Sequence, residues 1–370
     1  MIYNYIILFI IWGILAYFLS WGLNKYLINN KSGILIKKSN DSATRFASQT
    51  KPIFGGITFY AVFLIFTIMY IFFLDENLYA DKQTFGIGFA VTVAFFMGLA
   101  DDTLSTPPLF KFFVQFVVAL LLIYFNVYIT IFTNIYLNYI FTIIWIVGIM
   151  NSINMLDNMD AITSVITLTI LAGIFFNIGL THDYTKLPFM FGIVVVFASI
   201  LGFLRFNWSP SKIYMGDNGS QFLGALLGAL SILFIWNPST STSANTGFVL
   251  KPILITLLAF IIPIVDTTTV TINRLLQGKS PFVGGRDHTT HHLAYLGFKD
   301  RNVVIVLGII SFISVSMSSY IVNFVDNWNT FYSLMSGSVA TFIFIILYAN
   351  TKVSKTRTRK FVKTVIRKNN

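Results

Sequence analysis

The stretch "AITSVITLTILAGIFFNIGL", Ala161–Leu180, carries no charged side chain, while the preceding "NSINMLDNMD", Asn151–Asp160, holds five amide or carboxylate residues. About 20 apolar residues, as a helix rising about 1.5 Å each, span the hydrocarbon of a bilayer. A carboxylate at the bilayer centre costs about 2.5–3.5 kcal/mol on insertion scales, so acidic groups belong at helix ends. An apolar run with a polar margin therefore reads as a transmembrane helix, and the pattern recurs along the chain.

The composition agrees. Of 370 residues, 56% are hydrophobic and 11% charged, with a mean hydropathy of +0.76, outside the range of ordinary soluble domains. The expected fold is an all-α polytopic integral membrane protein, with residues 1–350 forming a single transmembrane domain and 351–370 a basic tail. The absence of cysteine excludes disulfides, thiolate zinc sites and cysteine nucleophiles. Ile2–Leu23 lacks a basic leader and a small-residue cleavage site, so it reads as a retained span, not a signal peptide.

Eleven spans are expected, at 2–23, 53–74, 84–100, 109–125, 136–152, 161–180, 187–204, 219–236, 251–272, 302–322 and 331–349. The apolar pattern is interrupted within 126–160, by Asn126, Asn134 and Asn138. With alternating loops, 22 of the 25 basic residues fall on one side, leaving Lys82, Lys186 and Lys251 on the other. The positive-inside rule makes the rich side cytoplasmic, with the N-terminus out and the C-terminus in. The net charge of +11 is then a matter of topology and contact with anionic lipid, and no nucleic-acid partner is expected.

Asp101, Asp102, Asp157, Asp160, Asp217 and Asp287 all fall at cytoplasmic helix ends, so the active site is expected on that face. "GLADDT" closes one span with adjacent carboxylates, which favour joint ionisation when a cation is near. In "NSINMLDNMD", Asn151, Asn154, Asp157 and Asn158 share one helical face. Oxygen-only ligands suit a hard cation such as Mg²⁺, which keeps water and binds substrate phosphates; Mn²⁺ is a substitute. "YMGDNGSQFLG" starts a new helix, whose N-terminus favours a phosphate.

"GGRDHTTHHLAYLG" holds three of the four histidines, His288, His291 and His292. With no cysteine beside them, pyrophosphate binding by these imidazoles and Arg286 is preferred to zinc binding. Asp266 lies deepest in the expected spans, and Arg274, about two turns on, offers it a partner.

Together these motifs resemble the polyprenyl-phosphate N-acetylhexosamine-1-phosphate transferases, glycosyltransferase family 4. The likeness runs in order through "KPIFGGI", "GLADDT" with Lys111 and Gln115 downstream, "NSINMLDNMD", "MGDNGSQFLG", "PIVDTTTVTINRLLQGKSPF" and "GGRDHTTHHLAYLG". The resemblance implies transfer of HexNAc 1-phosphate, here GlcNAc 1-phosphate, from a UDP-sugar to polyprenyl (undecaprenyl) phosphate. UMP is released, in a first membrane step of cell-envelope polysaccharide synthesis. It implies Asn154 and Asp217 at the metal, Asp101, Asp102 and Lys111 on the lipid-phosphate side, and Asp157 and Asp160 toward the nucleotide, with Asn151 beside them. It also implies a multi-pass protein of the bacterial plasma membrane, and a homodimer is compatible with this reading.

The chain departs from the family pattern in three places. Asn158 and Ala161 stand where glycines often follow the aspartates, Thr289 replaces the first histidine of the usual His-x-His-His, and Ser48–Gln49 lack a histidine often found there. The absence of a triple histidine followed by an acidic residue favours the amino-sugar branch over the phospho-MurNAc-pentapeptide branch, which is the alternative. A secondary transporter is the rival class, but it would place its site near the midplane and show internal repeats. In-line attack by the lipid phosphate is the expected mechanism, and a covalent aspartyl intermediate is the second.

Overall fold

The computed structural model describes residues 2–30, 51–53, 55–73, 81–237, 250–280, 285 and 287–369. Every regular element among them is helical: α1 (Ile2–Asn29), α2 (Gly55–Phe73), α3 (Lys82–Leu104), α4 (Pro108–Tyr124), α5 (Ile135–Leu156), α6 (Ile162–Thr181) and α7 (Leu187–Asn207). These are followed by α8 (Gly216–Ser231), α9 (Leu250–Ala259), α10 (Ile261–Leu275), α11 (Thr289–Tyr295), α12 (Asp300–Phe324) and α13 (Thr330–Asn369).

Among the described residues nine helices are long and apolar enough to cross a membrane, or ten if α9 and α10 make one bent crossing. Two of the eleven expected spans are not among those nine. The segment expected at 109–125 forms α4, apolar but only 17 residues long. The expected span 251–272 is two helices meeting at 87°. Pro263 explains the break: it has no N–H for the carbonyl of Ala259, and its ring crowds that carbonyl. The ladder stops at Phe260, whose N–H still reaches Thr256 (3.0 Å), and restarts with Ile264 donating to Phe260 (3.1 Å).

The three asparagines around the start of the fifth span serve helix ends and the turn before α5. Asn126 takes a left-handed conformation (φ 61°) after α4. Asn134 caps α5 by accepting from Tyr136 N–H. Asn138 is buried and satisfies both the N–H and the carbonyl of Phe132 (2.9 and 3.0 Å).

α8 is the axis of the molecule. All sixteen of its residues are buried, as expected for a helix apolar on every side beyond its first turns. Small residues let its neighbours approach to backbone distance. A Cβ on Gly224 would lie 2.8 Å from the Cα of Met150 in α5, and one on Gly98 in α3 would lie 2.3 Å from the carbonyl oxygen of Asp217. Aromatic contacts close the layer outside, with Tyr60 stacked on Phe95 (3.9 Å between centroids) and edge-on to Phe222.

Overpacking against a backbone atom costs about 1–3 kcal/mol, so Gly224→Ala should lower the thermal midpoint measured by intrinsic fluorescence in detergent. Gly148, on α5, has nothing within 4 Å of its would-be Cβ. Gly148→Ala should be neutral or slightly stabilising, and equal midpoint losses in the two variants would contradict this packing.

Candidate active site

The acidic site forms where α3, α4, α5 and α8 bring their polar ends together. Its anchor is the first turn of α8. Gly216 turns the chain into that helix at φ +79°, a conformation glycine adopts without strain. The backbone N–H groups of Asp217 and Asn218 then donate to the two oxygens of Asp102 (3.0 and 2.9 Å), and the Asn218 amide adds a third bond at 2.5 Å. Asp102, on α3, thus caps a helix more than a hundred residues away. A carboxylate facing unsatisfied N–H groups at a helix N-terminus is favoured by both hydrogen bonding and the helix dipole.

That cap fixes Asp217. Its carboxylate accepts from Lys111 Nζ at 3.0 Å and from the Asn154 amide at 3.2 Å, and Asn154 also donates to Ser220 Oγ at 2.8 Å. Lys111 makes a second, shorter ion pair with Asp101. Asp101 in turn accepts from the Thr106 N–H (2.9 Å) and hydroxyl (2.7 Å). Asn151 exchanges hydrogen bonds with Gln115, and Gln115 donates to Gln221 (3.1 Å). Asp217, Ser220 and Gln221 lie at i, i+3 and i+4 on one face of α8, a spacing readable from sequence.

The donor set here is oxygen from carboxylates and amides, with one ammonium already lodged between two carboxylates. This is the chemistry of a hard-cation position. Among the described residues no three His, Asp or Glu side chains converge closely enough to hold a metal ion by themselves. Mg²⁺ retains water and takes substrate phosphate, so one or two protein carboxylates are compatible with it.

The remaining acidic residues of the asparagine motif serve the walls. Asp157 forms the C-cap position of α5. Asp160 accepts from the backbone N–H (2.9 Å) and hydroxyl (2.7 Å) of Ser211, clasping the segment that leads to α8. Lys51 lies over the Tyr214 ring at 5.1 Å and near Ser211 Oγ at 3.4 Å, adding a basic side chain that the sequence reading left without a role. Ala161, where the family often has glycine, is left-handed at φ 66°, its N–H held by Asn207 Oδ1 at 2.9 Å. Asn158 needs no such conformation, being absent from the positive-φ residues.

The histidine segment is pinned by two carboxylate contacts, Asp266 with His288 and Asp287 with Arg274, not the one expected between Asp266 and Arg274. Asp266 is completely buried, with Oδ2 2.8 Å from His288 Nδ1 and Oδ1 accepting from Thr289 N–H and hydroxyl (2.8 and 2.6 Å). Arg274 instead grips Asp287 through two bonds of 2.8 and 2.7 Å. Burial opposes ionisation of Asp287, but the Arg274 guanidinium outweighs it and holds the carboxyl below its ordinary range. The chain folds back after α10, so the carboxylate nearest in space is not the one two turns away in sequence.

α11 then touches both neighbours. Thr290 donates to Asn158 Oδ1 (2.5 Å), linking it to the asparagine motif, and His292 Nδ1 lies 2.5 Å from Ser354 Oγ on α13. His291 is buried beside His288, their ring centroids 6.1 Å apart. Arg286 lies outside the described residues. The histidines therefore do not project together as one free cluster: the Nδ1 atoms of His288 and His292 are directed to Asp266 and Ser354.

This is an all-helical protein of membrane-crossing length with an acidic, oxygen-rich site at the ends of its central helices. The family model "Glycosyl transferase family 4" matches residues 84–235, from α3 through α8. The chain is 30% identical over 267 residues to "Probable undecaprenyl-phosphate N-acetylglucosaminyl 1-phosphate transferase" of Bacillus subtilis (strain 168), covering 69% of this chain and 70% of that one. It is 31% identical to "Decaprenyl-phosphate N-acetylglucosaminephosphotransferase" of Mycolicibacterium smegmatis, over 45% of this chain and 44% of that relative. It is 29% identical to "Phospho-N-acetylmuramoyl-pentapeptide-transferase" of Prochlorococcus marinus subsp. pastoris, over 74% of this chain and 80% of the relative. The chain belongs to glycosyl transferase family 4.

Removing one partner of a buried, hydrogen-bonded charge costs about 3–5 kcal/mol. Asp266→Ala should therefore strongly lower the thermal midpoint and expose the buried α11 (Thr289–Tyr295) to protease. Asp266→Asn keeps an acceptor for Thr289 and should fall between Asp266→Ala and the parent. An Asp266→Ala variant as stable and protease-resistant as the parent would rule out the clamp.

Proposed function

We propose that the chain transfers GlcNAc 1-phosphate from UDP-GlcNAc to undecaprenyl phosphate, releasing UMP, at the cytoplasmic face of the bacterial plasma membrane. The observation that carries this reading is the meeting of Asp101, Lys111, Asn154 and Asp217 from four different helices at one end of the core. The names of the Bacillus and mycobacterial relatives support the sugar and the lipid acceptor.

Eleven crossings, N-terminus out and C-terminus in, fit this role. The partition of basic residues supports that orientation. The tight turn at 105–107, joining α3 to α4, supports counting α4 as the return crossing. All the site motifs would then face the nucleotide sugar. The tail, a helical continuation of α13, would lie near anionic headgroups.

Phosphoryl transfer between phosphates depends on positioning and charge neutralisation more than on covalent chemistry. A phosphate monoester has its second pKa near 6, so the acceptor arrives largely as the dianion and needs no strong base. Asp217 and Asn154 would hold Mg²⁺, which supplies neutralisation of the pyrophosphate and polarises the bond to be broken. Lys111 and Asp101 would orient the acceptor phosphate. Asp160 and Asn158 would shape the nucleotide side through Ser211 and Thr290. Asp102 would contribute by holding the α8 N-terminus.

Membranes containing the protein should move radiolabel from UDP-[¹⁴C]GlcNAc into lipid extract with equimolar UMP, lose this activity in EDTA and regain it with Mg²⁺. Asp217→Ala should lower the rate at least about 10²-fold, the scale of losing one preorganised electrostatic group. Label gathered unchanged inside sealed vesicles would point to transport, and preferential use of UDP-MurNAc-pentapeptide would point to the other branch. Reporters fused after Asn370 and within 238–249 should read cytoplasmic and external, and the reverse pattern would remove the site from the nucleotide's side.

A further inference from the structure

Lys111 is placed in a way the proposed reaction does not by itself require. Its ammonium lies between Asp101 and Asp217, 3.0 Å from Asp217 Oδ2 and closer to Asp101. Among the described residues it is the basic side chain in ion-pair contact with this acidic group, and it shares the carboxylate that Asn154 also orients. A divalent cation held by Asp217 and Lys111 left in place would set two cations against the same carboxylate. The repulsion between a double and a single charge is twice that between two unit charges at equal separation. Lys111 has the means to leave. It sits on the first turn of α4, its side chain is 25% exposed, and its ammonium rides on a flexible four-carbon stem.

Its surroundings indicate where it goes. Leu104 and Leu109 are 77% and 83% exposed, and Phe110, Phe112 and Phe113 are exposed beside Lys111 on the same helix. An exposed apolar surface of that kind would suit the tail of a prenyl lipid, and the flexible Lys111 stem would let the ammonium reach its phosphate. We infer that Lys111 is the resting occupant of the metal position and couples the two ligands: it yields Asp217 to the divalent cation and carries its ammonium to the acceptor phosphate. This inference rests on the proposed transferase reading. Its thermodynamic consequence is reciprocal, since acceptor and metal must tighten each other's binding by the same factor.

The test is Mn²⁺ binding, followed by electron paramagnetic resonance on the purified full chain in nanodiscs, with and without farnesyl phosphate. The parent should bind Mn²⁺ at least about fivefold more tightly with farnesyl phosphate present, within the usual range of coupling between sites. Lys111→Met and Lys111→Gln should bind Mn²⁺ alone at least about fivefold more tightly than the parent and lose the farnesyl phosphate effect. A purely electrostatic influence of Lys111 would raise the basal affinity yet leave the farnesyl phosphate effect, and that result would overturn the inference. So would lysine variants that bind Mn²⁺ no more tightly than the parent. Asp217→Ala separates the two levels. Lost Mn²⁺ binding there, with lysine variants behaving like the parent, defeats the coupling alone, whereas undiminished binding defeats the metal position and the coupling together.

Discussion

The bond between Asp102 and the N-terminus of α8 is the contact on which the rest of the site depends. α8 is buried along its whole length, so its first N–H groups have no water to satisfy them. Asp102 meets two of them and the Asn218 amide as well. The direction of Asp217 then follows, and with it the positions available to Lys111 and Asn154. Two adjacent aspartates thus have different work. Asp101 faces Thr106 and Lys111, while Asp102 faces backbone.

Close packing makes this geometry stiff. Gly56 and Gly98 allow α2 and α3 to meet the α8 backbone, where an added Cβ would lie within 2.1 Å of Gly219 N and 2.3 Å of Asp217 O. In a membrane core the small-residue contact replaces much of what hydrophobic burial does in water, because lipid is as apolar as the side chains it surrounds. The polar end of α8 can then be anchored by hydrogen bonds while its apolar length fixes the axis.

The second constraint is the pair of carboxylate contacts that folds the histidine segment onto the bundle. Asp266 on α10 grips His288 and Thr289, and Arg274 grips Asp287. α11 is seven residues long and could not hold itself as an isolated helix. It is held by these contacts, by Thr290 to Asn158 and by His292 to Ser354. Asn273 and Lys352 complete the join between α10 and α13 at 3.0 Å.

By itself the sequence determined the helical class, the approximate span boundaries and the residues of the acidic site, because those depend on apolar run length and on which side chains tolerate a helix end. It could not distinguish Asp101 from Asp102, since identical neighbours differ only in what they face across the bundle. Pro263 carried the local signal for the α9–α10 break, but nothing along the chain set the angle between the two helices or assigned Arg274 to Asp287 in place of Asp266. Those were decided by tertiary structure. Backbone groups freed at buried helix ends and breaks must find partners, and the nearest partner in space is set by packing, not by spacing along the chain.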